Sequence, residues 1–452
     1  MSLVMKFGGS SVADAAGLRR VAALVRAELG LGRRPLVVLS AMGKTTNALF
    51  EAARLAESGD LAGALRMAAE LFERHQGAAA KSLEDGLPEG LASDLARLRE
   101  ELELLLRGVA LLRERSPRSQ DAIAAFGERL STRLFSEMTG LPLVDARSVL
   151  RTDAGFGEAQ PDREAIRAAV ARNVAPLLEA CGGAVIQGYI GATEDGLTTT
   201  LGRGGSDYSA ALLGAALGAE EVQIWTDVEG VLTCDPRVVP GARSVEALSF
   251  AEAAELAAFG AKVLHPATIQ PALEAGIPVT VRATERPEGG FTTISPDARS
   301  GCTVTAMASR GPVTLLTVGS SRMLHQAGFL ARLFDVFRRH RVSVDLVATA
   351  EVSVSLTLEA DAPLAALVEE LSAFACVDVS LDRAIVALVG ERLRETPGVA
   401  GRIFTALGDL HVELISMGAN EINLSLVVPQ AQADEALRRL HRALMEEEVP
   451  CA

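Results

Sequence analysis

Lys6-Phe7-Gly8-Gly9-Ser10-Ser11 is the stretch of sequence that decides the fold. It continues the apolar run Leu3 to Phe7 and precedes an apolar-periodic segment that ends near Leu29, and a second apolar run occupies Pro35 to Leu39. Short apolar runs predict strands buried on both faces, whereas the periodic segment predicts a helix. The sequence therefore opens as strand, glycine turn, helix and strand, which is typical of a parallel α/β sheet.

The glycine turn after the first strand is a candidate phosphate site. Gly8 and Gly9 let the backbone approach an anion closely, and a following helix offers unpaired N–H groups at its positive end. Lys6 adds a compact charge with three donors. An ordinary strand-to-helix turn would also accept these residues, so from them alone both interpretations stay open.

A second glycine loop, T-T-T-L-G-R-G-G-S-D, spans Thr198 to Asp207. Three of its glycines flank Arg203, and Ser206-Asp207 precede a helix predicted over Tyr208 to Leu217. A guanidinium binds carboxylates or phosphates through two parallel hydrogen bonds, and a helix N-terminus attracts the same anions. The loop therefore indicates a second anion site, with an N-capping aspartate as the alternative.

Two further motifs follow. W-T-D-V-E-G-V-L-T-C-D-P-R occupies Trp225 to Arg237, and its Asp227 follows a predicted strand at the position where open α/β sheets bind ligands. F-G-A-K-V-L-H-P, from Phe259 to Pro266, places Lys262 beside a glycine after a helix that begins near Ser249. Each motif also fits an ordinary turn.

An internal repeat marks the C-terminal part. Gly328 to Leu358 overlays Gly398 to Val428 at an offset of 70 residues without a gap. Each copy predicts a strand, a glycine, an amphipathic helix and two strands, so we expect two small α+β domains that hold a ligand between them. A segment rich in Pro, Gly, Thr and Ser predicts the main boundary between domains at 1–292 and 293–452, the latter with repeats at about 313–383 and 384–446.

A heptad stripe predicts one long helix before the second glycine loop. Its spacings alternate between four and three, and Ser116-Pro117 ends it. We expect it to pack within its own domain, with a coiled coil between chains as the alternative. The stripe consists of Leu91, Leu95, Leu98, Leu102, Leu105, Val109 and Leu112.

Composition argues against several functional classes. The net charge of −14 opposes binding to nucleic acid or to an anionic membrane surface. No apolar run is long enough to cross a bilayer, and the N-terminus lacks a signal-peptide pattern, so we expect a cytoplasmic protein. Five scattered cysteines indicate small buried residues rather than disulfides or a metal site. Only 4 of the 44 basic residues are lysines.

Together these motifs resemble the aspartate kinases of the amino acid kinase family. The resemblance covers nearly the whole chain and includes V-L-S-A-M-G-K-T-T-N, G-E-R-L-S-T and Q-G-Y-I-G as well as the segments above. It implies an α/β amino acid kinase fold, an open and mostly parallel sheet between helices, followed by two α+β ACT-like domains. Because the sequence ends after the repeats, we expect the monofunctional type, most similar to its lysine-sensitive branch.

The resemblance implies transfer of the γ-phosphoryl group of ATP to the side-chain carboxylate of L-aspartate, the first step toward lysine, threonine and methionine. Mg²⁺ would be held mainly by ATP phosphates and waters, with no dedicated protein metal site. The implied site residues are Lys6 and Asp207 for catalysis; Thr46, Glu128, Arg203 and Ser206 for the substrate; and Lys6, Gly8, Gly9, Ser10, Thr226, Asp227, Asp235, Arg237 and Lys262 for the nucleotide.

The resemblance also implies an amino-acid effector, most simply lysine, bound between paired first ACT-like domains of a homodimer; a tetramer is compatible. Gln326 and Ala350 replace serines usual in the lysine-sensitive branch, which leaves the effector open. Alternatives are a kinase for glutamate, N-acetylglutamate, carbamate or a nucleoside monophosphate, and a non-catalytic amino-acid sensor. The implied effector residues are Met323, Gln326, Gly328, Phe329, Leu330, Asp345, Thr349, Ala350, Glu351 and Val352.

Overall fold

The computed structural model describes residues 1–83, 86–260, 266–296, 298, 301–320, 323, 327–418 and 420–446. Two of the predicted site residues, Lys262 and Gln326, lie outside the described residues. No helix in the described part is long and apolar enough to cross a membrane.

The strands are β1 Ser2–Phe7, β2 Arg34–Leu39, β3 Leu143–Val144, β4 Ala184–Gln187, β5 Ile190–Ala192, β6 Thr198–Thr200, β7 Glu221–Thr226, β8 Ala247–Leu248, β9 Val279–Ala283, β10 Phe291–Ile294, β11 Ala306–Gly319, β12 Val347–Thr349, β13 Ser353–Glu359, β14 Cys376–Val389, β15 Leu414–Met417 and β16 Asn423–Pro429. The helices are α1 Ala15–Gly30, α2 Thr45–Ser58, α3 Leu61–Ser82, α4 Glu89–Leu112, α5 Pro117–Ala124, α6 Phe126–Thr139, α7 Arg163–Asn173, α8 Ala175–Cys181, α9 Gly205–Leu217, α10 Phe250–Ala258, α11 Pro266–Ala275, α12 Phe329–His340, α13 Leu364–Ser372, α14 Val399–Leu407 and α15 Ala433–His441.

The chain divides into two compact units. The first comprises Met1–Val231 and Val263–Ala298, and the second Leu232–Lys262 and Arg299–Ala452. This division differs from the predicted boundary at residue 293, because the chain enters the second unit once before it. Cys234 and Val239 pack in the apolar core of the second unit, which explains why their segment belongs there.

An open, mostly parallel sheet organises the first unit, as the sequence predicts. Its strands follow the order β3-β4-β2-β1-β7-β9-β10, and only the pairing of β10 with β9 is antiparallel among them. The chain passes from β1 to β2 on one side, and later adds β7 on the other. Ligands of open α/β sheets bind beside such a reversal, outside the carboxyl ends of the strands.

Helix α4 packs within the core of the first unit, which confirms the predicted intramolecular packing of the stripe. Two positions differ: Leu106 is buried in place of Leu105, which is only partly buried, and Leu112 is 73% exposed. A strict seven-residue repeat drifts relative to a straight helix with 3.6 residues per turn, so the buried face moves by one position. The buried residues of α4 are Leu91, Leu95, Leu98, Leu102, Leu106 and Val109.

One antiparallel sheet organises the second unit, in the order β12-β13-β11-β14-β16-β15. The predicted repeat is present: Gly328 and Gly398 cap α12 and α14 with φ of 90° and 81°, which favours glycine. The two 14-residue strands β11 and β14 run through both halves. Residues 306–310 therefore pair with the part of β14 that belongs to the second half, although they precede the first half in sequence.

The cysteines only partly match the expectation of burial. Cys234 is buried, whereas Cys181 and Cys376 are exposed and Cys302 is intermediate. Cys181 ends a helix and Cys376 begins a strand, where side chains remain open to solvent. For these two residues the prediction is wrong.

The packing of α4 gives a stability prediction. Leu102→Ala removes a fully buried side chain and should lower the free energy of unfolding of the first unit by about 2–5 kcal/mol. Leu104→Ala, on the same helix but 69% exposed, should change it by less than about 0.5 kcal/mol. Urea unfolding followed by circular dichroism measures both, and equal losses would contradict the intramolecular packing of the stripe.

Candidate active site

The carboxyl ends of the central strands meet at one edge of the sheet of the first unit. The N–H of Gly8, after β1, donates to the carbonyl of Trp225 in β7 at 3.3 Å. The N–H of Ser40, after β2, donates to the carbonyl of Phe7 at 3.1 Å, and that of Gly188, after β4, to Leu39 at 2.9 Å. The first residues beyond β1, β2 and β4 thus each contact the carboxyl end of a neighbouring strand.

Lys6 and Asp207, predicted to act in catalysis, form an ion pair at this edge. The ammonium Nζ lies 2.6 Å from Oδ1 of Asp207, and both side chains are largely shielded, at 10% and 17% exposure. Asp207 lies in the first turn of α9, which begins at Gly205 rather than at the predicted Tyr208. Gly204 precedes the helix at φ 70°, a conformation that extends the helix start into the glycine loop.

The two glycine loops differ in the helix ends that they offer. The N-terminus of α1 is capped by the side chain of Asp14, which accepts from the N–H of Gly17, so this end is already satisfied by a carboxylate. The N-terminus of α9 has no side-chain cap. The helix end available to an anion is therefore that of α9, whereas the sequence also suggested α1.

Gly9 is required by a close approach between loops. A Cβ atom at Gly9 would lie 2.8 Å from the carbonyl oxygen of Ala41, and its own carbonyl accepts from the N–H of Gly43 at 2.9 Å. The turn after β1 therefore lies directly against the turn after β2. Ser10 is exposed at the outer side of the first turn.

Glu128 is a buried carboxylate in the first turn of α6. Its Oε1 accepts from the N–H of Ala41 at 3.1 Å, but Oε2 is buried without a hydrogen-bond partner among the described residues. Burial raises the pKa of Glu128 to about 8. An unpaired buried carboxylate oxygen is suited to receive a cation such as an ammonium group.

The predicted substrate residues other than Glu128 lie in turns and helix starts at the same edge of the sheet. A Cβ atom at Gly188 would lie 2.8 Å from Cβ of Ser206, so the start of α9 approaches the end of β4 closely. Thr46 is half-buried in the first turn of α2. Arg203 is exposed between Gly202 and Gly204 in the loop that leads into α9.

The predicted nucleotide residues fall into separate parts of the molecule. In the first unit, Oγ1 of Thr226 donates to Oδ1 of Asp227 at 3.0 Å, directly after β7. Asp235 and Arg237 belong to the second unit, where Nη2 of Arg237 lies 2.5 Å from Oδ2 of Asp235. Lys262 lies outside the described residues.

The structure brings some of the predicted effector residues together within one copy. The N–H of Ser320, after β11, donates to the carbonyl of Val352 at 2.8 Å, and the N–H of Met323 donates to Ser320 at 3.0 Å. These contacts join Met323 to the turn that contains Thr349, Ala350, Glu351 and Val352. Gly328, Phe329 and Leu330 begin α12.

Asp345 lies at the other end of β12. Its N–H donates to the carbonyl of Thr357, whereas the N–H of Ala350 donates to that of Ser353. Thr357 is four residues beyond Ser353 on β13, which corresponds to about 13 Å along a strand. Within one copy, Asp345 is therefore separated from the other predicted effector residues.

Sequence reasoning missed two residues that support the site. Asp121 accepts from the N–H groups of Gly157 at 2.9 Å and Thr200 at 2.8 Å, and from Oγ1 of Thr200 at 2.9 Å. Burial raises the pKa of Asp121 although these three hydrogen bonds act in the opposite direction. Arg74 donates to Oγ1 of Thr45 and, at 3.3 Å, to the carbonyl of Met42. Both lie in helical segments without a motif, so no local signal marked them.

Comparison with known proteins identifies the class. The model of the amino acid kinase family matches residues 1–283, and a model of the ACT domain matches residues 386–444. The chain therefore belongs to the amino acid kinase family, and its relatives within that family are aspartokinases.

Lysine-sensitive aspartokinase 3 of Escherichia coli (strain K12) is 40% identical over 98% of this chain and 99% of its own. Chloroplastic aspartokinase 1 of Arabidopsis thaliana is 38% identical over 99% of this chain and 80% of its own. The crystal structure of E. coli aspartokinase III with aspartate and ADP in the R-state has a TM-score of 0.83 at 40% identity, covering 98% of this chain and 100% of that chain. These relatives confirm the resemblance and the fold predicted from the motifs.

Burial of Glu128 makes stability depend on pH. Its pKa rises from 4.5 to about 8 in the folded protein, so folding favours the neutral acid. This contribution is complete below about pH 4.5 and is lost as the pH rises toward 8. Relative to Glu128→Gln, which is neutral at every pH, the wild type should therefore lose unfolding free energy between pH 5 and 8. Urea midpoints that change in parallel for both proteins would contradict this.

Proposed function

We propose that this chain is an aspartate kinase that converts ATP and L-aspartate to ADP and 4-phospho-L-aspartate, the first step toward lysine, threonine and methionine. The observation that carries the proposal is the Lys6–Asp207 pair at the carboxyl edge of the sheet, where Glu128 offers an unpaired carboxylate oxygen. Such a site combines a cation for phosphate with an anion for the ammonium of an amino acid. The E. coli relative was solved with aspartate and ADP.

Lys6 and the start of α9 would receive the charge of the transferring group. The reaction joins a carboxylate oxygen of aspartate to the γ-phosphorus and breaks the bond to the leaving oxygen of ADP. The protein therefore need only position the reacting groups and neutralise their negative charge. Asp207 holds the lysine ammonium at 2.6 Å and thereby directs it toward the loop of Gly8 and Gly9. The N-terminus of α9, free of a side-chain cap, adds N–H donors.

Acceptor recognition would depend on Glu128, Arg203, Ser206 and Thr46. Glu128 would bind the substrate ammonium, and its pKa would then fall because the new positive charge favours the carboxylate. Arg203, exposed between Gly202 and Gly204, would bind a substrate carboxylate through its guanidinium fork. Ser206 and Thr46 would add hydroxyl donors from the first turns of α9 and α2.

ATP would be held from two parts of the chain. Thr226 and Asp227 follow β7 next to the Lys6 loop. By the family pattern, Asp235, Arg237 and Lys262 would also contact the nucleotide. Among the described residues, no three histidine, cysteine or carboxylate side chains converge on a metal site. Mg²⁺ fits this donor set as an ion carried by ATP phosphates and waters, where it offsets phosphate charge.

We further propose a cytoplasmic homodimer formed through the ACT-like halves, with a tetramer also compatible. Support comes from the effector residues: Asp345 and the Thr349–Val352 turn lie at opposite ends of β12. A single small effector can contact both only if two copies place opposite ends of this strand together. Leu330 and Val352 are 41% and 48% exposed, so a second copy or a ligand can contact both side chains.

The catalytic assignment predicts a clear difference between two lysines. Lys6→Ala should lower kcat for aspartate-dependent ADP formation by about 10²–10³, because a preorganised cation at the developing charge is lost. Lys81→Ala, an exposed lysine at the end of α3, should leave kcat within about twofold. A coupled ADP assay with matched circular dichroism spectra measures both. Wild-type turnover in both variants would exclude Lys6 from catalysis.

An acceptor panel separates the alternatives. Turnover with L-aspartate but little with glutamate, N-acetylglutamate or carbamate is expected, since Glu128 and Arg203 must bind both ends of one short amino acid. A folded protein without turnover on any acceptor, but with calorimetric binding of lysine, would instead support the sensor.

The effector is tested by adding lysine, threonine and methionine alone and in pairs. Lysine should inhibit, because Asp345 and Glu351 are anions suited to a second ammonium group. Inhibition by threonine or methionine without any by lysine would show that the departures at Gln326 and Ala350 have changed the effector.

A further inference from the structure

Arg310 lies where the two halves of the regulatory sheet meet. Residues 306–310 of β11 pair with Ile385–Val389 of β14 in the second half. From Val313 onward, β11 pairs with β13 of the first half. The register shifts between Arg310 and Val313, so Arg310 is the last paired residue before the strand passes from one half to the other.

The guanidinium of Arg310 contacts three residues from separate parts of the chain. Its Nη1 donates to Oδ1 of Asp345 at 3.0 Å and to the carbonyl of Ala258 at 3.4 Å, and its Nη2 bonds to Glu359. Asp345 and Glu359 belong to the first half, whereas Ala258 ends α10. One side chain therefore connects the half that contains the predicted effector residues with the C-terminus of α10.

The C-terminus of α10 leads directly into a nucleotide motif. Phe259-Gly260 begin the F-G-A-K segment, and a Cβ atom at Gly260 would lie 2.9 Å from the carbonyl of Ser309, the neighbour of Arg310. Earlier turns of α10 are fixed to other regulatory residues, through Glu252 to Thr305 at 2.6 Å and Glu255 to Asn423 at 2.7 Å. A guanidinium at the last carbonyls of a helix also interacts favourably with its dipole.

The carboxylate of Asp345 has one oxygen bound to Arg310 and one that a ligand could bind. Its Oδ1 is held by Arg310, while its Oδ2 is buried without a hydrogen-bond partner among the described residues. A cationic effector could bind Oδ2, but it would then compete with the guanidinium for one carboxylate. Binding of the effector would weaken the hold of Arg310 on Asp345 and alter its contact with α10.

We propose that Arg310 is the positioning residue that transmits occupation of Asp345 to the end of α10 and thus to the nucleotide segment. This proposal rests on the proposed function, in which Asp345 binds an ammonium group of the effector. Arg310 touches neither substrate, so its loss should separate effector binding from inhibition rather than abolish catalysis.

The test compares lysine binding and inhibition in the full-length protein. In Arg310→Ala, Asp345 loses its competitor, so calorimetry should show lysine binding about fivefold tighter than in the wild type. The fraction of its own lysine-free activity that this variant keeps at saturating lysine should nevertheless be at least about threefold higher than in the wild type, because the contact that lysine would loosen is already absent. Arg310→Lys keeps a charge near Asp345 but cannot span three partners, so it should bind lysine as the wild type does and still be inhibited less.

Arg383 provides a matched control. It lies on β14 beside the same register shift, opposite Val313 of β11, pairs with Glu413 at 2.7 Å and is 23% exposed, against 25% for Arg310. Arg383→Ala should leave binding and inhibition unchanged. An Arg310→Ala protein that lysine inhibits to the wild-type residual activity overturns the proposal, as does the same separation in Arg383→Ala.

A second measurement, KM for ATP, tests the role of Arg310 in the absence of any effector. In the absence of amino acids other than aspartate, Arg310→Ala should raise KM for ATP about threefold, and Arg383→Ala should not. If the wild type binds no lysine, the effector assignment fails, and the KM comparison still tests Arg310. An unchanged KM for ATP in that case overturns the link to the nucleotide segment.

Discussion

The ion pair between Lys6 and Asp207 is the interaction on which the arrangement of the first unit depends. It joins the end of β1 to the start of α9, two elements about 200 residues apart in sequence, at the point where the strand order reverses. Both charges are largely shielded from water, so each requires the other. The close approach of Gly188 to Ser206 brings the start of α9 to this edge of the sheet.

Glu128 complements that pair. A lysine–aspartate pair alone is nearly neutral, but the nearby carboxylate has an oxygen that no described residue satisfies and a pKa raised by burial. The free protein therefore keeps a buried acid at a position where a charged ligand would restore its ordinary ionisation. If Glu128 binds the substrate ammonium as proposed, binding of the amino acid and deprotonation of Glu128 would be linked for this reason.

Much of the fold could be predicted because local patterns and long-range packing agree. The first βαβ unit, the capping box of Ser249 and the repeat at Gly328 and Gly398 all have strong short-range signals. Asp121 and Arg74 could not be found, since their partners are distant in sequence and their own surroundings are ordinary helix. The cap of α1 by Asp14 could not be predicted either, because the start of the helix among small residues after the glycine motif has no marked periodicity. Motifs thus indicated the candidate side chains, whereas only the structure shows which contacts hold them in place.

The passage of the chain through both units has a consequence for any attempt to separate them. Residues 232–262 precede the end of the first unit, yet Cys234 and Val239 bury their side chains in the core of the second. A protein truncated after the kinase-family match would carry this segment with its apolar face uncovered, and would expose to water a surface that evolved as protein interior. The second unit therefore cannot be removed by one cut in the chain, because its core includes residues that precede the last strands of the first unit.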